Sequence, residues 1–161
     1  KTGMRINEAL SITWEQVDSD EANVTVGESK TEAGAGRTIP VDNHLMERLT
    51  SLRAKHYERQ MQDRGWNQAG FVFCTNVGKR GDKDNLQRWV LTPLLKEAKL
   101  PHLTWHHLRH NAGSYLLSEN VPITLVSKIL GHANPAITMS IYAHELKEDF
   151  EQVREAMAKF A

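Results

Sequence analysis

TWHHLRHNAGSYLLSENVPITLVSKILGHANPAITMSIYAH, residues 104–144, is the stretch on which the fold turns. It reads as three helices in succession, each with its own start and stop. Thr104 suits a cap, and Leu108, Ala112, Tyr115 and Leu116 recur at the spacing of one apolar helical face. The second helix begins at Pro122 and stops at Gly131, the residue type that most easily takes the left-handed conformation closing a helix. The third repeats the grammar, with Asn134 as cap and Pro135 in the first turn. Tyr142 stands near its end, with His132 before it and His144 after it. A core tyrosine has no need of imidazoles on either side. A tyrosine that attacks an electrophile does.

Upstream the pattern is mixed. RINEALSITW (5–14) puts Ile6, Ala9 and Leu10 on one face of a short helix. ANVTVGES (22–29) and GRTIPV (36–41) are β-prone, and KTEAGA between them carries a glycine suited to a hairpin turn. Residues 42–65 place Leu45, Leu49, Leu52 and His56 on one stripe, with Asp42 or Asn43 as cap and Gly65 as stop. FVFC (71–74) reads as a short strand or buried extended segment. NLQRWVLTPLLKEAKL (85–100) reads as helix, kinked or split at Pro93, with Thr92 able to cap the second half. Residues 146–160 read as a last amphipathic helix on Leu146, Phe150, Val153, Met157 and Phe160. The expected fold class is mostly α with a small antiparallel β-sheet (α+β).

The chain has 161 residues, enough for one domain with a sizeable core, and 40% hydrophobic with 25% charged residues marks a soluble globular protein. No apolar run approaches the ~18 residues of a membrane span, and no signal peptide opens the chain. Cys74 is the only cysteine, so no internal disulfide forms, and a reducing cytoplasm is expected. The chain opens at Lys1 directly on a motif, which suggests a domain cut from something longer. Net charge is zero, which by itself argues weakly against nucleic acid. Its distribution matters more: residues 1–36 hold three bases and seven acids, residues 79–109 seven bases and three acids. A basic middle between acidic ends can still offer a positive face to phosphate, because contact depends on local field.

Several small constellations carry possible chemistry. His106 and Arg109, three apart, are neighbours on the helical flank away from the apolar stripe, and Gly113 lies bare beyond them. Arginine offers a planar two-pronged donor and histidine exchanges protons near neutral pH, so the pair suits a phosphate; it equally suits a plain polar helix face. His106 and His110 have the spacing of helical zinc ligands, but the intervening residues include Arg109, which repels a cation. His132 is pinned between a glycine cap and Asn134-Pro135. Arg5 and Glu8 form an i,i+3 pair that reads first as a simple surface ion pair. Lys30 sits at a hairpin tip, from which a lysine can swing into a site, and Arg37 lies on the returning strand.

Taken together, in order, these motifs resemble the catalytic domain of tyrosine recombinases, the phage integrase family. The resemblance rests on Thr2-Gly3-Met4-Arg5 with Glu8; Lys30-Thr31 with Arg37-Thr38-Ile39-Pro40; His106-His107-Leu108-Arg109-His110; Leu130-Gly131-His132; and Tyr142-Ala143-His144. It covers residue 2 to about 150. It implies that Tyr142 attacks a DNA phosphodiester, giving a 3′-phosphotyrosyl link and a free 5′-hydroxyl. Arg5 and Arg109 would clamp the non-bridging oxygens, and His132 would add a hydrogen bond. His106 would assist proton transfer at the tyrosine, Lys30 would protonate the departing 5′-oxygen, and Glu8 and Gly131 would support the site. No metal and no cofactor are implied, since two guanidiniums supply the positive charge. The family often has Asp where His107 stands, a position pointing away from the His106/Arg109 flank.

The resemblance also implies a larger protein. Residues 1–161 would be the catalytic domain, without its N-terminal core-binding domain and first helices, and this fragment alone would bind DNA weakly. The full-length partner set would be double-stranded DNA, a homo-tetramer on two duplexes, and accessory DNA-bending or directionality proteins, with no membrane. The setting would be the cytoplasm of a prokaryotic host, at the nucleoid. Two other readings stand beside this one. Residues 122–142 look like a helix-turn-helix that binds DNA without catalysis. A type IB topoisomerase would share the nucleophile and both arginines.

Overall fold

The computed structural model describes residues 2–142 together with Arg154, Met157 and Ala158. Its elements run α1 (Ile6–Ser11), strands β1 (Val17–Asp18), β2 (Asn23–Thr25) and β3 (Thr38–Pro40), then α2 (Asn43–Gln62). There follow α3 (Lys83–Leu86), a π-helical segment (Gln87–Leu91), α4 (Thr92–Glu97), α5 (Trp105–Ser118), α6 (Ile123–Leu130) and α7 (Pro135–Tyr142). The architecture is mostly α with a small antiparallel sheet. The helix expected over 146–160 lies outside the described residues, apart from Arg154, Met157 and Ala158, which are helical.

The sheet is an antiparallel meander in the order β1-β2-β3, with Val17 opposite Val24 and Val24 opposite Ile39. Val24 and Ile39 point into the core while Thr25 and Thr38 face out, the period-2 alternation of a half-buried sheet. Two-residue β1 is not legible in the sequence. The β2–β3 connection is longer than a tight hairpin. Val26 N–H bonds Arg37 O at 2.9 Å and Gly36 N–H bonds Val26 O at 2.8 Å, and the residues between close through a 3₁₀ turn at Glu32–Gly34.

Apolar side chains gather in two clusters. Ile12, Val17, Val24, Met46, Leu49 and Val72 pack between the sheet and α2. Leu117, Val126, Leu130 and Tyr142 pack between α5, α6 and α7. Asp42 caps α2 by accepting from Leu45 N–H at 2.9 Å. FVFC forms no continuous strand: it makes isolated bridges at Thr13–Phe71 and Cys74–Arg80, and fully buried Val72 bonds Ile12 O. Cys74 is half-buried, and burial pushes its thiol pKa up, the opposite of a reactive cysteine.

The expected break at Pro93 takes another form. α3, the π-helical segment and α4 run on without a gap, and the wide turn ends with Thr92 N–H bonded to Gln87 O, five residues back. Proline lacks an N–H and crowds the carbonyl four residues before it. One π turn just ahead absorbs both defects where an α-helix would kink. Among the described residues no helix is long and apolar enough to cross a membrane.

Candidate active site

The end of α6 is where distant parts of the chain meet. A helix leaves its last carbonyls without intrahelical donors and carries partial negative charge there. Three successive carbonyls of this terminus each receive a guanidinium. Ile129 O accepts from Arg37 Nε at 2.8 Å, Leu130 O from Arg109 Nη2 at 2.5 Å, and Gly131 O from Arg5 Nη2 at 3.3 Å. The arginines come from the start of α1, the edge of β3 and the middle of α5. Gly131, at φ +68°, closes the helix in the left-handed region, and a side chain there would meet Gly34 Cα at 2.8 Å and Arg37 Cζ at 3.0 Å. Both conformation and space demand glycine.

Glu8 binds the cations together from the other side. It is 3% exposed and accepts from Arg5 Nη1 at 2.8 Å, Arg5 N–H at 2.8 Å, Arg37 Nη2 at 2.6 Å, Arg37 Nη1 at 3.2 Å and Ser29 Oγ at 2.5 Å. Burial alone would raise its carboxyl pKa; the bonds from Arg37, Ser29 and Arg5 overcome that and hold it at about 2. The pair that reads from sequence as a surface i,i+3 contact is therefore part of a buried network.

Arg109 is 6% exposed and also donates from Nη1 to Gly3 O at 2.8 Å. Burial, then the nearby charges of Arg5 and Arg37, lower its pKa to about 10, against the opposing pull of Glu8 and Tyr142. It stays a cation at neutral pH. A guanidinium has five N–H donors, so these bonds leave Arg5 and Arg109 donors for an incoming anion. Arg5, Arg37 and Arg109 against Glu8 make the pocket positive although the whole chain is neutral.

His132 follows the glycine cap and is half-buried. Its Nδ1 lies 2.7 Å from Oγ1 of fully buried Thr138 on α7. Burial first, then Arg109, Arg5 and His110, lower its pKa to about 4, so the ring is neutral at pH 7. Of the two tautomers this contact allows, the one in which Thr138 donates to Nδ1 carries its proton on Nε2, where it can serve a further acceptor. Asn134 caps α7 through Oδ1, which accepts from Ala136 N–H at 2.8 Å.

Tyr142 is 2% exposed and packs on Leu117, Val126 and Leu130. A Cβ at Gly113 would fall 2.6 Å from its Cζ and overlap its hydroxyl. The bare spot that Gly113 leaves on α5 is thus filled by the tyrosine itself. Burial raises the phenol pKa, partly countered by Arg109, so the hydroxyl is protonated at neutral pH. The His110 ring lies 5.8 Å from the Tyr142 ring and meets His106 edge-on at 4.4 Å. His110 therefore touches both His106, which is exposed, and the tyrosine. Thr104 N–H bonds His107 Nδ1 at 2.9 Å, so His107 serves the start of α5.

Lys30 is exposed, but its surroundings are tethered. Ser29 bonds Glu8, Thr31 Oγ1 donates to Gly131 O at 3.2 Å, and Gly34 O accepts from Arg37 Nη1. The freely swinging hairpin tip expected from sequence is an anchored loop beside the arginine pocket. Arg5, Glu8, Arg109, Gly131, His132 and Tyr142 thus share one region, with Lys30 on its rim and His106 one ring further out. Sequence reasoning gives no site role to Arg37, Ser29 or Thr138. The arginine of GRTIP is visible as part of a motif; the two hydroxyls carry no signal.

Two guanidiniums, a neutral imidazole and a phenol at one positive helix junction define a site suited to a phosphodiester. The family comparison agrees with that class: the phage integrase family model matches residues 1–149, and the chain belongs to that family. It is 26% identical over 168 residues to a XerC-like tyrosine recombinase of Caldanaerobacter subterraneus subsp. tengcongensis, covering 89% of this chain and 43% of that protein. Among solved structures it resembles a XerA recombinase at 25% identity and TM-score 0.73, covering 99% of this chain and 54% of that one. The XerH site-specific recombinase bound to its difH substrate shares the fold at TM-score 0.73 and 22% identity, over 98% of this chain and 43% of that one. The chain spans about half the length of the relatives it matches.

Proposed function

We propose that this chain is the catalytic domain of a site-specific DNA recombinase or integrase that cuts and rejoins strands through a covalent tyrosine intermediate. The observation that carries this is the seating of Arg37, Arg109 and Arg5 on the carbonyls of Ile129, Leu130 and Gly131, beside His132 and Tyr142. Tyr142 Oη attacks the phosphorus, and the bond from phosphorus to O5′ breaks. The products are a 3′-phosphotyrosyl link and a 5′-hydroxyl. The phenolic proton leaves toward His106, with neutral His110 in between; Lys30 gives a proton to O5′. Arg5 and Arg109 hold the non-bridging oxygens as charge builds in the pentavalent transition state, and His132 donates from Nε2. Glu8 and Gly131 hold the arginines in place. A 5′-hydroxyl from another strand reverses the step, so no ATP is consumed, and the cations of the chain itself do the work of a metal.

The rest of the protein is proposed to supply an N-terminal core-binding domain and the first helices of the catalytic domain. Its partners are double-stranded DNA, other copies of itself as a tetramer on two duplexes, and accessory bending or directionality proteins, in the cytoplasm of a prokaryotic host.

The test lets the protein select its own target. The intact protein is incubated with a library of nicked duplexes with randomised arms, in which the short cleaved strand diffuses away and traps the adduct. Protein-linked DNA is recovered under denaturing conditions and sequenced. A single enriched site, lost in Tyr142→Phe, is the expected result. Adducts that persist in Tyr142→Phe would refute the assignment. Supercoil relaxation without strand exchange would assign a topoisomerase instead.

A further inference from the structure

Arg37 makes four side-chain hydrogen bonds, more than Arg5 or Arg109, and the reaction as written gives it nothing to do. Its side chain is 3% exposed, and its bonds run in three directions. Nε bonds Ile129 O at 2.8 Å, fixing it to the end of α6. Nη1 and Nη2 bond Glu8 at 3.2 Å and 2.6 Å, fixing it to the carboxylate that also holds Arg5. Nη1 also bonds Gly34 O, in the 3₁₀ turn that closes the Lys30 loop. So enclosed, it is ill placed to meet a phosphate.

The loop is fastened on both sides of Lys30. Ser29 Oγ donates to Glu8 at 2.5 Å and Thr31 Oγ1 to Gly131 O at 3.2 Å. Glu8 and Gly34 are both partners of Arg37, and the loop packs so closely on the junction that a Cβ at Gly131 would meet Gly34 Cα and Arg37 Cζ. Apart from a 3.4 Å bond from Arg5 Nη1 to Ser29 Oγ, these tethers end on Arg37, on a group bonded to it, or on the helix end it caps. We propose that Arg37 is a positioning residue: it holds the Lys30 loop against the arginine pocket, so that the lysine ammonium is delivered to the leaving oxygen. The inference rests on the proposed role of Lys30 as the acid that protonates O5′.

Leaving-group chemistry supplies a readout that a merely structural role would not move. A substrate with sulfur in place of the bridging O5′ departs as a thiolate, whose conjugate acid has a pKa near 8.5 against about 16 for water-like alcohols, so it needs no proton from lysine. Single-turnover cleavage of the oxygen and sulfur substrates is measured at the recovered site, using the intact protein. The ratio of the two rates reports on the folded fraction only, so partial unfolding does not distort it. Lys30→Ala comes first. It should slow the oxygen substrate by about 10²-fold or more and leave the sulfur substrate within a few-fold of the parent.

With that control in hand, Arg37→Lys and Arg37→Gln should repeat the pattern: about 10²-fold loss on oxygen, and recovery on sulfur. Ser29→Ala, which removes one tether and keeps the Arg37–Glu8 pair, should give a smaller loss of the same selectivity, and carries the test if no Arg37 variant folds. Equal losses on both substrates with Lys30→Ala rescued would overturn the inference, leaving Arg37 as a support for Arg5 or for the fold alone. An unchanged rate on both would overturn it as well. Failure of sulfur to rescue Lys30→Ala would instead remove the role assigned to Lys30, and the inference with it.

Discussion

Two regions face each other across the site, and they are held by different forces. The arginine side is fixed by directional bonds: three guanidiniums, three helix-end carbonyls and one carboxylate, with Arg37, Arg109 and Glu8 buried and Arg5 half-buried. The tyrosine side is held by shape. Tyr142 rests against Leu117, Val126 and Leu130 and fills the notch at Gly113. The division suits the chemistry. Phosphate oxygens need donors fixed before they arrive, since reorganising dipoles during reaction is costly. A nucleophile that must travel along a reaction path is better held by contacts without directional preference.

The largest contrast should appear between removals on the two sides. Tyr142→Phe deletes one hydroxyl from an apolar cluster, so covalent adduct formation should vanish while the unfolding free energy from urea melts stays within about 1 kcal/mol of the parent. Arg109→Ala should lower cleavage by about 10³-fold and also destabilise the fold. It strands Gly3 O and Leu130 O without a donor, a cost of roughly 1–3 kcal/mol. An Arg109→Ala protein as stable as Tyr142→Phe would break the comparison, because the arginine would then serve chemistry alone.

Gly113→Ala probes the shape-held side directly. A helix interior prefers alanine to glycine by about 1 kcal/mol, so propensity alone predicts a stabilised protein. The methyl group, however, overlaps the Tyr142 hydroxyl. Cleavage should fall by roughly 10²-fold as the phenol is displaced, and the expected gain in stability should not appear. Adding Tyr142→Phe should restore part of that gain, with a coupling on the order of 1 kcal/mol in a double-mutant cycle. Additive effects would show that Gly113 and Tyr142 do not meet in solution.

Legibility in the sequence follows the same division. Helices with strong stop signals are plain: Asp42, Asn134-Pro135 and Gly131 stand at the ends they announce, because capping chemistry is local. Strand β1 is not, since two residues carry no periodicity, and Pro93 announces a defect without saying that a π turn absorbs it. At the site, the order of motifs points to Arg5, Arg109, His132 and Tyr142, but not to what holds them. The pairing of Ile129, Leu130 and Gly131 carbonyls with three arginines is invisible in a string of letters, because a carbonyl belongs to every residue. Gly113 stands out in the sequence as a bare spot, yet a missing side chain shows that space is needed, not which group fills it.

Acid should act on both regions through their buried titratable groups, and in the same direction. His132 has a folded pKa of about 4 against 6.5 unfolded. Between those values the unfolded chain takes up a proton that the folded chain excludes, so stability falls as pH drops from 6.5 to 4, by on the order of 2–3 kcal/mol from this group. His110 and His56, also lowered by burial, add to the fall below pH 6.5. Glu8 extends it: folded at about 2 against 4.5 unfolded, it contributes stability above pH 4.5 that is lost toward pH 2. Chemical melts at successive pH values should show the decline, and His132→Asn should flatten the part between 6.5 and 4. An unaltered slope in His132→Asn would mean that the imidazole is not excluded from protonation by its burial and the arginines beside it.

The smallest expected effect lies where the two regions join. Thr138, on the tyrosine helix, is fully buried and sits 2.7 Å from His132 Nδ1, on the arginine side. A neutral imidazole is useful to a phosphate only if its proton is on the nitrogen facing it, and a hydroxyl that donates to the other nitrogen selects that tautomer. Thr138→Val keeps the branched shape and removes the donor. Nδ1 is then free to take the proton, and Nε2 would meet a phosphate oxygen lone pair to lone pair in part of the population. Cleavage should fall by about 10-fold, the equivalent of ~1.4 kcal/mol in the barrier. Thr138→Ser, which keeps the hydroxyl and loses a methyl group, should recover most of the rate even where it costs stability. If valine and serine lowered cleavage equally, packing rather than proton placement would be what Thr138 provides, and the join between the regions would be one of shape on both sides.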